Sequence, residues 1–251
     1  MGSRLKVLLA VLVVAFAAAA GGVYWYLRDD APAEVSLEAA AASVTDGPDD
    51  ATTVTTAPAT ATTGDVVIEG TRVVDTSTGD FDYESATGTF AGFRIQEELA
   101  NIGSSTAVGR TGDVTGSIQI DGTTVTEASF EIDLTTITTN ENRRDDKVQQ
   151  ALETGQFPTA SFVLAEPIEL GDSGASGQAL SVTAVGDLTI HGVTKRVEMP
   201  LEAQLVDDTV VVVGSMDLTF SDYGVAVPES QVVLSVEDHG ILELQLLLVQ
   251  G

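Results

Sequence analysis

A chain of 251 residues with 38 acidic side chains, 11 basic ones and a formal net charge of −27 repels phosphate backbones, which excludes nucleic acid as a partner. It contains no cysteine, so neither disulfides nor thiol chemistry can contribute. Its two histidines are too few for a convincing zinc site and no calcium-loop spacing occurs, so no metal or other cofactor is expected.

From Val7 to Leu27 the chain carries no charge, and at a rise of about 1.5 Å per residue that run spans roughly 30 Å, the thickness of a bilayer core. Residues 5–27 are therefore read as a membrane contact. Arg4 and Lys6 precede the run, while Arg28 is followed at once by Asp29 and Asp30. The positive-inside bias places the N-terminus in the cytoplasm and everything after Leu27 outside. The small residues Ala17 to Ala20 also suit a signal-peptide cleavage site, which would make the product secreted. Val23-Tyr24-Trp25-Tyr26-Leu27 continues the apolar run past that site and sets three aromatics at the outer interface, which favours an uncleaved anchor over residues 1–28.

Residues 29–64 have no aromatic side chain, many Ala, Thr and Asp, and three prolines, so they are expected to form a disordered linker. Ala39 to Ala42 offer a seed for one helical turn. As a flexible chain the linker has a reach of roughly 30 to 35 Å, enough to hold a domain clear of a lipid surface.

After Asp65 the texture changes to short alternating runs separated by Gly, Asp and Asn, the pattern of one all-β domain over residues 65–251. Val114, Gly116, Ile118 and Ile120 share one face of a strand, as do Phe130, Ile132 and Leu134. A short helix is predicted after Asn142, with Asp145 and Asp146 in its first turn, Val148 and Leu152 as its apolar stripe, and an end near Gly155. His191-Gly192 reads as the two-residue turn of a hairpin between Val182–Ile190 and Val193–Pro200, because both central positions of a primed turn need positive φ. Met199, Leu201, Ala203 and Leu205 then alternate, followed by Met216, Leu218 and Phe220 and by Leu242, Leu244, Leu246 and Leu248. His239, before Gly240, reads as another turn. No Gly-x-Ser-x-Gly elbow occurs, and Gly109 to Gly116 lacks the Lys-Ser/Thr of a phosphate loop, so no catalytic residue is assigned.

Four segments occur in a telling order: Asn142-Arg143-Arg144-Asp145-Asp146-Lys147, Phe157-Pro158-Thr159-Ala160-Ser161-Phe162, Gly186 to Arg196, and Phe220-Ser221-Asp222-Tyr223-Gly224. With the strands between them they resemble the YceI-like family of lipocalin-like barrels over most of residues 68–250. The resemblance implies an eight-stranded antiparallel barrel whose interior holds a polyisoprenoid chain, and so a binding protein rather than an enzyme. The sequence departs from the commoner form of the family at its start, with Asp80-Phe81-Asp82-Tyr83-Glu84-Ser85 in place of a His-Ser pair before the first barrel strand.

In such a barrel, alternation turns Phe130, Phe162, Met216, Leu218 and Phe220 inward, with Gly116 and Ala203 as small residues that leave room for a groove. Arg143, Arg144 and Lys147 form the basic cluster beside the helix start. They read either as local ion pairs with Asp145 and Asp146 or as a cationic rim for a ligand headgroup such as a pyrophosphate. Each isoprene unit offers roughly 3 to 4 kcal/mol gross on burial, at about 0.8 kcal/mol per methylene-sized group. Association costs of about 4 to 15 kcal/mol then call for several units. The expectation is an exported, membrane-tethered barrel that binds an isoprenoid or similar long-chain amphiphile. The alternative is a cell-surface interaction or stress-related scaffold with a filled barrel and no ligand.

Overall fold

The computed structural model describes residues 31–45, 68–77, 81–99, 103–171, 174, 177–226, 233–236 and 238–251, which build one sheet of 13 strands. In chain order these are β1 (Gly70–Val74), β2 (Phe90–Leu99), β3 (Gly103–Thr111), β4 (Val114–Asp121), β5 (Thr124–Asp133), β6 (Thr138–Thr139) and β7 (Thr159–Leu164). They continue as β8 (Ile168–Glu169), β9 (Leu180–Ile190), β10 (Val193–Val206), β11 (Thr209–Thr219), β12 (Val233–Val236) and β13 (His239–Gln250). Following the pairing β1-β4-β5-β7-β9-β10-β11-β13 leads back to β1, where Arg72 meets Gln250 and Val74 meets Leu248. Eight antiparallel strands thus close a barrel, which leaves none of them with an unpaired edge along the ring. β13 serves two neighbours: its last residues pair with β1, and Ile241–Gln245 pair with β2, which also carries β3 and β12.

The alternation expected from sequence holds along much of the barrel, but not in β13, where Gln245 to Leu248 are buried without a break. Val114, Ile118, Ile120, Leu246 and Leu248 are buried inward, as are Met199 and Leu205. Toward the opposite rim a second buried group gathers Leu134, Ile137, Val148, Ala160, Leu188, Ile190 and Tyr223.

The predicted hairpin forms with His191 at φ 51° and Gly192 at φ 73°, the primed turn whose twist matches its strands. His191 Nδ1 faces the Tyr223 carbonyl at 3.2 Å, so that nitrogen carries the proton and ties the hairpin to the chain after β11. His239 is not a turn residue: it is the first residue of β13 and pairs with Thr219, because β11 and β13 stay in register up to their ends. The predicted helix spans Asn142–Ala151, somewhat short of Gly155, with Val148 buried and Leu152 packed beside it. Asp145 does more there than complement a helix dipole. Its carboxylate accepts from the Thr139 N–H at 2.8 Å and the Thr139 hydroxyl at 2.7 Å, fastening β6 to the helix.

Among the described residues there are two α-helices, where the sequence reading expected one short helix beyond the membrane segment. The first, α1 (Leu37–Thr45), lies inside the stretch read as disordered linker; the helix after Asn142 is α2. Ser36 Oγ accepts from the Ala39 N–H at 3.3 Å, and Leu37 and Ala40 are buried against Val211, Val213 and Leu247 on the outer wall of the barrel. Composition alone misjudged this segment because it ignored what lies beneath it. Alanines lose no side-chain entropy in a helix and let its backbone approach closely, and the wall supplies the apolar surface that the segment itself lacks.

Just ahead of α1 the chain crosses a buried ion cluster. Glu243 accepts from Arg94 Nε at 2.9 Å and from Arg110 Nε at 2.7 Å, with Glu243 and Arg110 at most 1% exposed. Further guanidinium N–H groups reach main-chain carbonyls: Arg94 donates to Pro32, and Arg110 to Ala33 at 2.7 Å and Tyr83 at 3.3 Å. Arg110 also lies 4.6 Å over the Phe90 ring. Buried charges persist only when paired and saturated in this way. Residues 32 and 33 are therefore part of the barrel's polar accounting, not a loose tail. The predicted anchor, residues 1–28, and the rest of the predicted linker, residues 29–30 and 46–64, fall outside the described residues. Among the described residues no helix is long and apolar enough to cross a membrane.

Candidate functional site

The barrel encloses a cavity of about 220 Å³ that runs from Ile120 and Leu248 near one rim to Ile190 and Tyr223 near the other. An apolar cavity of about 150 Å³ already stays dry and admits a benzene-sized guest. This one is larger, and its wall is almost wholly hydrocarbon.

Of the residues assigned inward from sequence, Phe130, Phe162, Ala203, Leu218 and Phe220 line the cavity. Met216 sits opposite Leu242 in register but is not part of the lining. Gly116 is not part of it either. A Cβ at Gly116 would lie 2.6 Å from the Phe130 ring, and the residue holds φ at +147°, so this glycine is occupied by its neighbour and offers no groove to a ligand.

That contact recurs around the wall. A Cβ at Gly109 would meet the Phe93 ring at 2.5 Å, one at Gly240 the Phe220 ring at 2.8 Å, and one at Gly186 would press still more closely into the Phe162 ring. Each inward phenylalanine lies over a glycine on a neighbouring strand. Phe130 and Phe162 face one another across β5 and β7, yet they lean apart, toward Gly116 on β4 and Gly186 on β9. The rings sheathe the wall instead of projecting across the centre, which is how bulky side chains coexist with an open interior.

The basic cluster belongs elsewhere. Arg144 donates to Glu97 at 2.8 Å and to Asn140 Oδ1 at 2.6 Å, Arg143 and Lys147 are exposed, and none of the three lines the cavity. Two polar side chains do line it, Gln204 and Tyr223. Gln204 spends an amide N–H on the Gly177 carbonyl at 3.0 Å. Tyr223 is 2% exposed, and among the described residues its hydroxyl has no hydrogen-bond partner. Burial, with the Asp222 carboxylate adding to it, pushes the Tyr223 phenol above its ordinary range, so it stays protonated. Strand alternation could not place this residue. After β11 the chain enters a 3₁₀ turn, Phe220–Tyr223, closed by Gly224 at φ 70°, and the turn brings Tyr223 back beneath the rim.

The chain is similar to several known proteins. Among curated relatives, a UPF0312 protein of Shewanella denitrificans is 27% identical over 143 residues, covering 52% of this chain and 70% of that protein. A UPF0312 protein of Pseudomonas fluorescens is 32% identical over 107 residues, covering 41% of this chain and 53% of that protein. Among solved structures, Burkholderia cenocepacia BcnA aligns with a TM-score of 0.49 at 16% identity, over 63% of this chain and 95% of that one. A structure described as a polyisoprenoid binding domain from Saccharophagus degradans, implicated in plant cell wall breakdown, aligns with a TM-score of 0.49 at 15% identity, over 64% and 98%. Residues 84–247, more than half of the chain and all of the barrel but its first strand and the last three residues of β13, match the family described as the YceI-like domain, and the chain belongs to that family.

Proposed function

We propose that this protein binds an isoprenoid or similar long-chain amphiphilic lipid inside its barrel, by burial and without chemistry, and that residues 1–28 tether it to the outer face of a membrane. The observation that carries the reading is the cavity: one apolar space through the barrel, kept open by four phenylalanines each laid over a glycine. The YceI-like fold supports lipid binding in general. A scaffold with a filled barrel would gain nothing from such seats, since its core would pack more densely with the rings turned inward.

Tethering and export rest on the charge-free run and its flanking residues. The docked segment alters how such a tether acts. Pro32 and Ala33 are fixed to the barrel, so five residues after Leu27 would reach it, a span of at most about 18 Å when fully extended. The barrel would then sit close to the lipid surface, where an apolar ligand can pass between bilayer and cavity.

Extraction of the purified full chain followed by mass spectrometry tests the reading. Long-chain lipid near one molecule per chain is expected from the wild type, and much less from Ala203→Phe, which adds bulk to the cavity wall. Equal lipid in both, or none in either, would sink it.

A further inference from the structure

We infer that Tyr223 is the polar contact for the ligand's head, and that the ligand is a long-chain amphiphile with an uncharged, hydrogen-bonding head, an alcohol or a carbonyl, rather than a phosphate ester. The inference rests on the lipid-binding reading and narrows it to one class of ligand.

The lining of the cavity contains no lysine, arginine or histidine. A charged phosphate drawn into it would lose its hydration without gaining a counter-ion, and burying an uncompensated charge is among the most expensive events in a protein. Of the basic side chains outside the cavity, Lys195, 5.8 Å from the centroid of the Tyr223 ring, pairs with Asp222 at 2.8 Å, Arg196 pairs with Asp187 at 2.8 Å and Arg144 with Glu97 at 2.8 Å, while Arg143 and Lys147 are exposed on the helix and none of the five lines the cavity. The surroundings are acidic, and the chain as a whole carries −27, so a phosphate would be repelled on approach as well.

Tyr223 lines the cavity, and its buried hydroxyl, like Nε2 of the adjoining His191, has no hydrogen-bond partner among the described residues. Buried polar groups in native proteins are nearly always hydrogen-bonded, and one that is not points to a functional partner or a missing one. Tyr223 is held firmly enough to serve. Its carbonyl meets His191 Nδ1, Gly224 caps its turn, and Ser221, two residues earlier, is fastened to Asp238 through its N–H at 3.0 Å and its hydroxyl at 2.6 Å. Phe220 and Val225 flank it on the same wall, so a chain lying in the apolar space would end at a phenol able both to donate and to accept. The raised titration of that phenol keeps the donor intact throughout the physiological range.

The test is a competition. Full chain in amphipol is incubated with equal amounts of farnesol, farnesyl pyrophosphate and the hydrocarbon farnesene, and the retained molecules are quantified by mass spectrometry, for the wild type and for Tyr223→Phe. The wild type should retain farnesol in preference to both others. Tyr223→Phe should lower the ratio of farnesol to farnesene about five- to tenfold, the value of one hydrogen bond, with farnesene retention and melting temperature undiminished. An unchanged ratio in Tyr223→Phe, or pyrophosphate retained as well as farnesol, would overturn the assignment while leaving lipid binding standing. A wild type that retains none of the three would overturn the lipid-binding reading itself, and the assignment with it.

Discussion

Glu243 shows how a single residue can set the state of a whole wall. Alternation sends Leu242, Leu244 and Leu246 into the cavity and Glu243 outward, where an acidic residue on a strand ordinarily meets water. Here it meets Arg94 and Arg110 instead, and the three side chains are covered by the backbone at Pro32, Ala33 and Tyr83. Glu243→Gln would leave two buried guanidinium groups without a counter-ion, at a cost of about 3 to 5 kcal/mol. A fall of that size in unfolding free energy, read from the urea midpoint, is expected. Arg196→Ala, which breaks only the exposed pair with Asp187, should shift the midpoint very little. Equal effects from the two substitutions would contradict the account of the cluster. Nothing in the sequence joins Glu243 to Arg94, 149 residues away, because the link depends on β13 and β2 being neighbours.

At the scale of the element, the strands and the hairpin were legible because each is a local pattern: period two along β4, β5 and β10, and a His-Gly pair suited to positive φ. The docking face for α1 was legible too, though it went unread. Val210 to Val213 and Leu246 to Val249 are apolar at every position, and a strand without a polar face is covered on both sides. The glycine seats were not legible, since Phe162 and Gly186 are brought together by the register of β7 and β9 and by no pattern within either strand. Their role can be tested directly. Gly186→Val places a side chain where the Phe162 ring rests, so the ring must swing into the lumen or the strands must part. Overpacking of this kind costs about 1 to 3 kcal/mol. The variant should unfold at a lower temperature and carry less lipid, and the double variant Gly186→Val with Phe162→Ala should recover lipid content. Failure of the double variant to recover it, with the fold intact, would mean that the rings do not control the interior.

For the whole molecule, the decisive question is how far the barrel stands from the membrane to which residues 1–28 would attach it. A linker free from residue 29 to Ile68 gives an average reach of roughly 30 to 35 Å, whereas a segment pinned at Pro32 limits the separation to about 18 Å. Docking decides between them, and docking depends on Leu37 and Ala40 against Val211, Val213 and Leu247, reinforced by the arginine bonds to Pro32 and Ala33. Leu37→Asp would bury a charge against that wall, so it should release the helix and lengthen the tether. Because the chain has no cysteine, Thr123→Cys at the exposed β4–β5 turn supplies a single labelling site on the barrel. Energy transfer from a dye there to labelled lipid headgroups, with full chain reconstituted in vesicles, should be high in the wild-type background and fall clearly with Leu37→Asp. If the barrel exchanges its ligand with the bilayer across that short gap, transfer of farnesol from vesicle to cavity should slow in the same variant, while the amount bound at equilibrium stays the same. Unchanged energy transfer in Leu37→Asp would show that the docked segment does not set the distance, and unchanged exchange despite a longer tether would separate ligand uptake from proximity to the membrane.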